Sequence, residues 1–143
     1  MFLIFLCGCT GGRVKVYSDE EIGAFDELLE KTNVEAKRYD LRHEDDCRLG
    51  RIPGFFCVRN VNSKGEEKTL DQIYEDLTLI LRKKSTPIIL MDYDGSDASY
   101  LAEKLKAAGY SNVHYFGSGY ERYASLEGET FVPETGDCDS CSA

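Results

Sequence analysis

Asp92, Asp94 and Asp97 crowd into the six-residue stretch Asp92-Tyr93-Asp94-Gly95-Ser96-Asp97. Carboxylates at this spacing suit acid–base or nucleophilic work, or the grip of a hard cation. The calcium pattern strings aspartates at alternate positions around a glycine, and "DYDGSD" follows it faintly. It then breaks off, because no glutamate follows at the proper distance. Turns and helix starts collect aspartate in any case, so no metal is assigned. An aspartate nucleophile would need a metal site or a lysine partner, and the loop offers neither.

The second constellation is made of thiols. Cys138-Asp139-Ser140-Cys141 is a C-x-x-C pair, a spacing used in redox chemistry and metal binding. Asp137 and Asp139 would raise the thiol pKa values, and no helix start follows to lower them. A four-thiol site with Cys7 and Cys9 would have looser spacing than zinc sites usually show. The stretch from Glu127 to Ala143 therefore reads as a mobile tail. Cys47 and Cys57 read as buried small hydrophobes. His43 reads as a solvated loop residue and His114 as an ordinary strand residue.

The elements around these residues alternate in type. Val14 to Tyr17 reads as a strand. Ser18 and Glu21 form a capping box ahead of a helix with Ile22, Phe25, Leu28 and Leu29 on one face. Ala36 to Leu41 is a second strand and Phe55 to Val58 a third, separated by a polar stretch and the Ile52-Pro53-Gly54 turn. Thr69 and Gln72 cap a helix whose apolar residues run from Leu70 to Leu81. Ile88 to Met91 is continuously apolar, as suits a strand covered on both faces. A helix follows over Ala98 to Ala108, then a strand over Val113 to Phe116 and a short helix near Tyr120 to Leu126. This order predicts one α/β domain with a mostly parallel sheet. Ligands of such sheets sit outside the carboxyl ends of the strands, where Asp92 stands. Tyr115, Phe116, Tyr120 and Tyr123 lie near that end and read as core. Tyr93, at the loop tip, reads as a contact residue.

The chain has 143 residues and a formal net charge of −9. That charge argues against nucleic acid and against an anionic membrane surface, unless cations gather locally. The basic residues are scattered along the sequence; the longest run, Arg82-Lys83-Lys84, suits a helix C-terminus.

At the start, residues 2–7 are apolar, too few to span a bilayer and with no cation before them. Leu6-Cys7-Gly8-Cys9 resembles a bacterial lipoprotein cleavage box with Cys9 as the lipidated residue. Residues 1–12 are therefore either a truncated lipoprotein signal, which would place the domain outside the cytoplasmic membrane, or a plain N-terminal segment of a cytoplasmic protein. Under the first reading the only membrane attachment expected is the lipid on Cys9.

The ordered set of segments resembles the rhodanese-like domains over about Val14 to Leu126. "YDLRHEDDCRLGRIPG" (Tyr39 to Gly54) is similar to the family's Asp-x-Arg segment and its Gly-His-Ile-Pro-Gly turn. Asp40, Arg42, Gly50, Ile52, Pro53 and Gly54 fit that motif; Asp46 stands where an acid is usual, and Arg51 replaces the histidine. "PIILMD" is similar to the strand that carries the active-site loop. "LAEKLKAAGYSNVHYFGSGYERY" is similar to the family's following helix, Ala-Gly-Tyr turn, strand and glycine-rich turn, with Ser118 between the two glycines.

The resemblance implies a five-stranded, mostly parallel sheet with helices on both faces, spanning residues 13–126, and a sulfurtransferase ancestry without a cofactor. It also implies that position 92 would hold the catalytic cysteine, which takes up sulfur as a persulfide within a nest of backbone N–H groups. Asp92 cannot form a persulfide. The loop has the family's length and lacks its basic residue. The expectation is a domain without sulfurtransferase activity, with a binding, structural or regulatory role toward a protein or small molecule. The alternative is thiol redox or sulfur relay through Cys138 and Cys141.

Overall fold

A computed structural model describes residues 13–31 and 36–137. Strand β1 (Val14–Tyr17) leads through a 3-10 turn, Asp19–Glu21, into helix α1 (Ile22–Lys31). Then come β2 (Lys37–Asp40), α2 (Glu44–Leu49), β3 (Phe56–Cys57) and α3 (Leu70–Ile80). The chain continues through β4 (Ile88–Met91), α4 (Ser96–Ala107), β5 (Val113–Phe116) and α5 (Tyr120–Glu127), followed by a 3-10 turn, Gly128–Thr130. The strands form one sheet in the order β1-β5-β4-β2-β3, and every neighbouring pair is parallel.

Strand β4 shows why the sheet has two covered faces. Its four residues are wholly buried. Ile88 and Leu90 join the core beneath α3 and α4, with Leu77, Leu101 and Leu105. Ile89 and Met91 join the opposite core, with Phe25 of α1 and Tyr123 of α5. Alternation at period two thus feeds both cores from one strand. Each such side chain contributes about 1.5–3 kcal/mol.

The capping boxes form. Gln72 N–H donates to Thr69 Oγ1 at 3.2 Å, and Thr69 N–H donates to Gln72 Oε1 at 2.9 Å. Ser18 N–H donates to Glu21 Oε1 at 3.3 Å.

Three expectations are corrected. The polar stretch after β2 contains a helix, α2, started by Asp45 N–H donating to Nδ1 of His43 at 3.1 Å. The third strand shrinks to Phe56–Cys57, because it lies at the sheet edge and pairs only with β2. The described part of the tail is packed against the domain. Phe131 stacks edge-on against Tyr123 with ring centroids 5.6 Å apart, and Arg51 and Glu134 exchange backbone hydrogen bonds of 3.0 and 2.9 Å. Arg51, fully buried, also donates to the Gly136 carbonyl at 2.8 Å. Cys7, Cys9, Cys138 and Cys141 lie outside the described residues. No helix among the described residues is long and apolar enough to cross a membrane.

Candidate functional site

The carboxyl ends of β2, β4 and β5 meet at the Asp92 loop. Leu41 N–H donates to the Met91 carbonyl at 2.7 Å and Tyr120 N–H to the Asp92 carbonyl at 2.8 Å. Gly95 has φ +90°, and a Cβ there would lie 2.2 Å from the Gly117 carbonyl oxygen. Gly119 has φ +84°, and its Cβ would lie 2.0 Å from the Tyr93 carbonyl oxygen. Only glycine meets both demands at these positions, the left-handed backbone and the close approach. The two turns therefore clamp the loop from both sides.

Asp92 points into the nest that this geometry makes. Its Oδ1 accepts from Gly95 N–H at 2.6 Å, and its Oδ2 accepts from Ala98 N–H, in the first turn of α4, at 2.9 Å. The residue is 1% exposed. Burial raises its pKa; the two amides pull the other way, and Asp94 and Asp97 add to the rise. The amides do favour the charged form, as expected of such a nest, but desolvation outweighs them.

The other two acids do not converge on Asp92. Asp94 is exposed, and its Oδ1 accepts from Ser96 N–H at 3.0 Å and from the Ser96 hydroxyl at 2.5 Å. These bonds lower its pKa. Asp97 Oδ2 accepts from Arg59 at 3.0 Å. Each carboxylate thus has a separate partner. Among the described residues no cluster of three or more histidine, cysteine or acidic side chains could hold a metal. Arg59 supplies the cation that the loop sequence lacks, from the β3–α3 connection. Nothing in the local sequence signals that pairing.

Asp40 and Arg42 act as a buried brace. Arg42 Nε donates to Asp40 Oδ1 at 3.0 Å, and a terminal nitrogen donates to Oδ2 at 2.8 Å. The same nitrogen reaches the Gly50 carbonyl at 2.6 Å, and the guanidinium lies 3.8 Å from the Tyr120 ring centroid. Ile52 is buried, and Phe55 N–H closes the Pro53-Gly54 turn on the Ile52 carbonyl at 3.1 Å. Arg42 and Gly50 also line an open cavity of about 400 Å³, together with Asp46, Tyr93 and Tyr120.

Tyr93 is 43% exposed, yet its hydroxyl is engaged. It donates to Asp46 and accepts from His43 N–H at 3.1 Å. Tyr115, Phe116, Tyr120 and Tyr123 are core, as expected. Cys47 and Cys57 are buried as expected but are joined to each other in a disulfide, with Cα atoms 5.9 Å apart. Reading them as separate small hydrophobes missed the pairing, which depends on α2 packing against the edge strand.

The rhodanese-like domain family matches residues 22–126. The chain belongs to that family. Solved structures agree on the fold. The Alr3790 protein from Anabaena sp. superposes with a TM-score of 0.61 at 16% identity, covering 85% of this chain and 84% of that one. A rhodanese-like domain protein from Staphylococcus aureus gives 0.54 at 17% identity, covering 86% and 99%. A thiosulfate sulfurtransferase from Pseudomonas aeruginosa gives 0.54 at 21% identity, covering 85% of this chain and 20% of that one. No curated protein sequence matches significantly. This rhodanese-like domain therefore carries a buried aspartate in its nest, held by the first turn of α4.

Proposed function

We propose that this rhodanese-like domain transfers no sulfur at its nest and serves as a binding or regulatory domain. One observation carries the reading: both oxygens of Asp92 accept the amides of Gly95 and Ala98, 2.6 and 2.9 Å away. In sulfur transfer a thiolate attacks the outer sulfur of a donor such as thiosulfate, and sulfite leaves. A carboxylate oxygen offers no comparable polarizable nucleophile. Exposed Asp94, whose pKa is lowered by its bonds from Ser96, places negative charge where an anionic donor would have to enter. The same acid, with exposed Asp45 and Asp46 and the half-exposed Tyr93 ring, suits a cationic protein surface or ligand. The test is a thiosulfate:cyanide transferase assay on the purified protein. No turnover above background is expected; turnover that Asp92→Ala abolishes would overturn the reading.

A second reading has one observation in its favour. Arg48 of α2 pairs with Asp137 at 3.2 Å, so the chain enters the Cys138–Cys141 pair from a point fixed beside α2. In a sulfur relay, one of these thiolates would attack the outer sulfur of a donor persulfide, and the donor's inner sulfur would leave as a thiolate. The measurement is intact mass after incubation with a persulfide donor, with and without residues 138–143. Identical masses gained by both forms would end this reading.

The Cys47–Cys57 disulfide favours an oxidising compartment, and so favours export over a cytoplasmic location.

A further inference from the structure

An all-parallel sheet has two chemically distinct ends, and here they carry opposite charge. At the carboxyl end, Asp19 to Glu21 follow β1, Glu44 to Asp46 follow β2, and Asp92, Asp94 and Asp97 follow β4. The amino end gathers cations that the sequence scatters. Arg13 stands before β1 and Lys37 begins β2. Arg82, Lys83 and Lys84 join α3 to β4, and Lys106 lies in the last turn of α4. All but Lys106 are exposed, and among the described residues none of the six has an acidic partner. Of the acids toward this end, Glu27 is paired with Lys31 at 3.6 Å; Glu30 and Glu103 lie on the flanks, and Glu127 and Glu129 stand where α5 ends.

Two further observations say what this face meets. Leu79 and Ile80, 75% and 68% exposed, end α3 immediately before the Arg82–Lys84 run. Exposed aliphatic side chains beside a basic run suit a lipid interface, where the apolar groups enter and the cations stay with the headgroups. The chain also enters β1 at Arg13 from this same end, and the apolar residues 2–7 precede it by a short Gly-rich link, Gly8 to Gly12.

We propose that the amino end of the sheet, centred on Arg82, Lys83 and Lys84 with Leu79 and Ile80, docks on anionic phospholipid headgroups. The net charge of −9 does not prevent this, because the acids that follow β1, β2 and β4 lie at the far end of four-residue strands, about 13 Å away at about 3.3 Å per residue and beyond the screening length of about 8 Å at physiological salt. Docking this way turns the Asp92 end outward, toward soluble partners. The inference does not depend on what Asp92 does.

The test uses the full chain, without lipid on Cys9, in flotation with two kinds of vesicle. One is phosphatidylcholine alone; the other also contains phosphatidylglycerol. Binding is expected only with phosphatidylglycerol, and it should weaken as salt shortens the Debye length from about 30 Å at 0.01 M to about 8 Å at 0.15 M. The triple variant Arg82→Gln, Lys83→Gln, Lys84→Gln is expected to bind about a hundredfold more weakly, at about fivefold per cation. Lys64→Gln, in the exposed β3–α3 loop, should bind as the parent does. If the triple variant fails to fold by circular dichroism, Lys37→Gln with Lys106→Gln replaces it, with about a 25-fold loss expected. Equal binding to both vesicle types, no binding to either, or an undiminished folded variant would overturn the proposal. So would tighter binding to duplex nucleic acid than to the anionic vesicles.

Discussion

Replacing Asp92 by alanine removes both acceptors from the nest while leaving its backbone in place. Gly95 N–H and Ala98 N–H would lose their partners in a site that is 1% exposed. A buried donor left unsatisfied costs about 1–3 kcal/mol, so two cost about 2–6 kcal/mol. Part of this is returned, because burying the carboxylate is itself unfavourable, as its raised pKa states. The expected net loss is about 2–4 kcal/mol, a large share of the 5–15 kcal/mol typical of a domain. In a domain of this size that lowers the melting temperature by roughly 10 °C. The loss should also depend on pH. Folding raises the Asp92 pKa above its ordinary 3.8, so the folded state holds a proton that the unfolded chain has released. That contribution is fully present below 3.8 and is lost as pH rises through the raised value. The gap between parent and Asp92→Ala should therefore widen on acidification and narrow as pH rises through the raised value. Calorimetric melting of both proteins across pH measures it. An Asp92→Ala protein that melts with its parent, or a gap that narrows in acid, would refute the account of the nest.

Three further outcomes follow from other parts of the molecule. The Asp26 carboxylate beside Glu127, together with burial, pushes the Glu127 pKa up to about 7, so stability should fall as pH rises from 4.5 to about 7. Glu127→Gln should flatten that part of the melting profile; an unchanged slope contradicts the pairing. Gly119→Ala should cost about 3 kcal/mol or more, since its Cβ would lie 2.0 Å from the Tyr93 carbonyl oxygen on a backbone of φ +84°. A denaturant midpoint equal to the parent's would show that the clamp is absent. The Cys47–Cys57 disulfide closes a loop of 10 residues' separation. Reducing it should lower stability by roughly 2–3 kcal/mol in denaturant titrations, and alkylation before reduction should leave both cysteines unlabelled.

What the sequence disclosed depended on how local each cause was. Ile88 to Met91 is apolar throughout because β4 is covered on both faces, and a run of that kind is visible without any partner. The capping residues Ser18 and Thr69 act within three positions of themselves, so they too were legible. Asp40, Arg42 and the turn at Gly54 stand out only through the family resemblance; that Arg42 donates to Asp40 through two nitrogens is visible in the structure alone. Helix α2 escaped because six polar-rich residues give no periodicity, and only the cap at His43 marks its start. The remaining misses are tertiary. Arg59 meets Asp97 across 38 positions, and Arg51 holds Gly136 across 85. Cys47 finds Cys57 only because α2 folds against the edge strand. No period or motif encodes such meetings, which is why the tail looked mobile and the two cysteines looked unpaired.

The central claim is that side-chain oxygen fills an otherwise intact amide nest. Intact mass after incubation with thiosulfate, for the parent and for Asp92→Cys, tests it most directly. The account predicts that the parent gains nothing at position 92, while the variant gains one sulfur atom that cyanide then removes. A parent that takes up sulfur on the peptide containing Asp92, or a folded Asp92→Cys protein that stays inert, would contradict it.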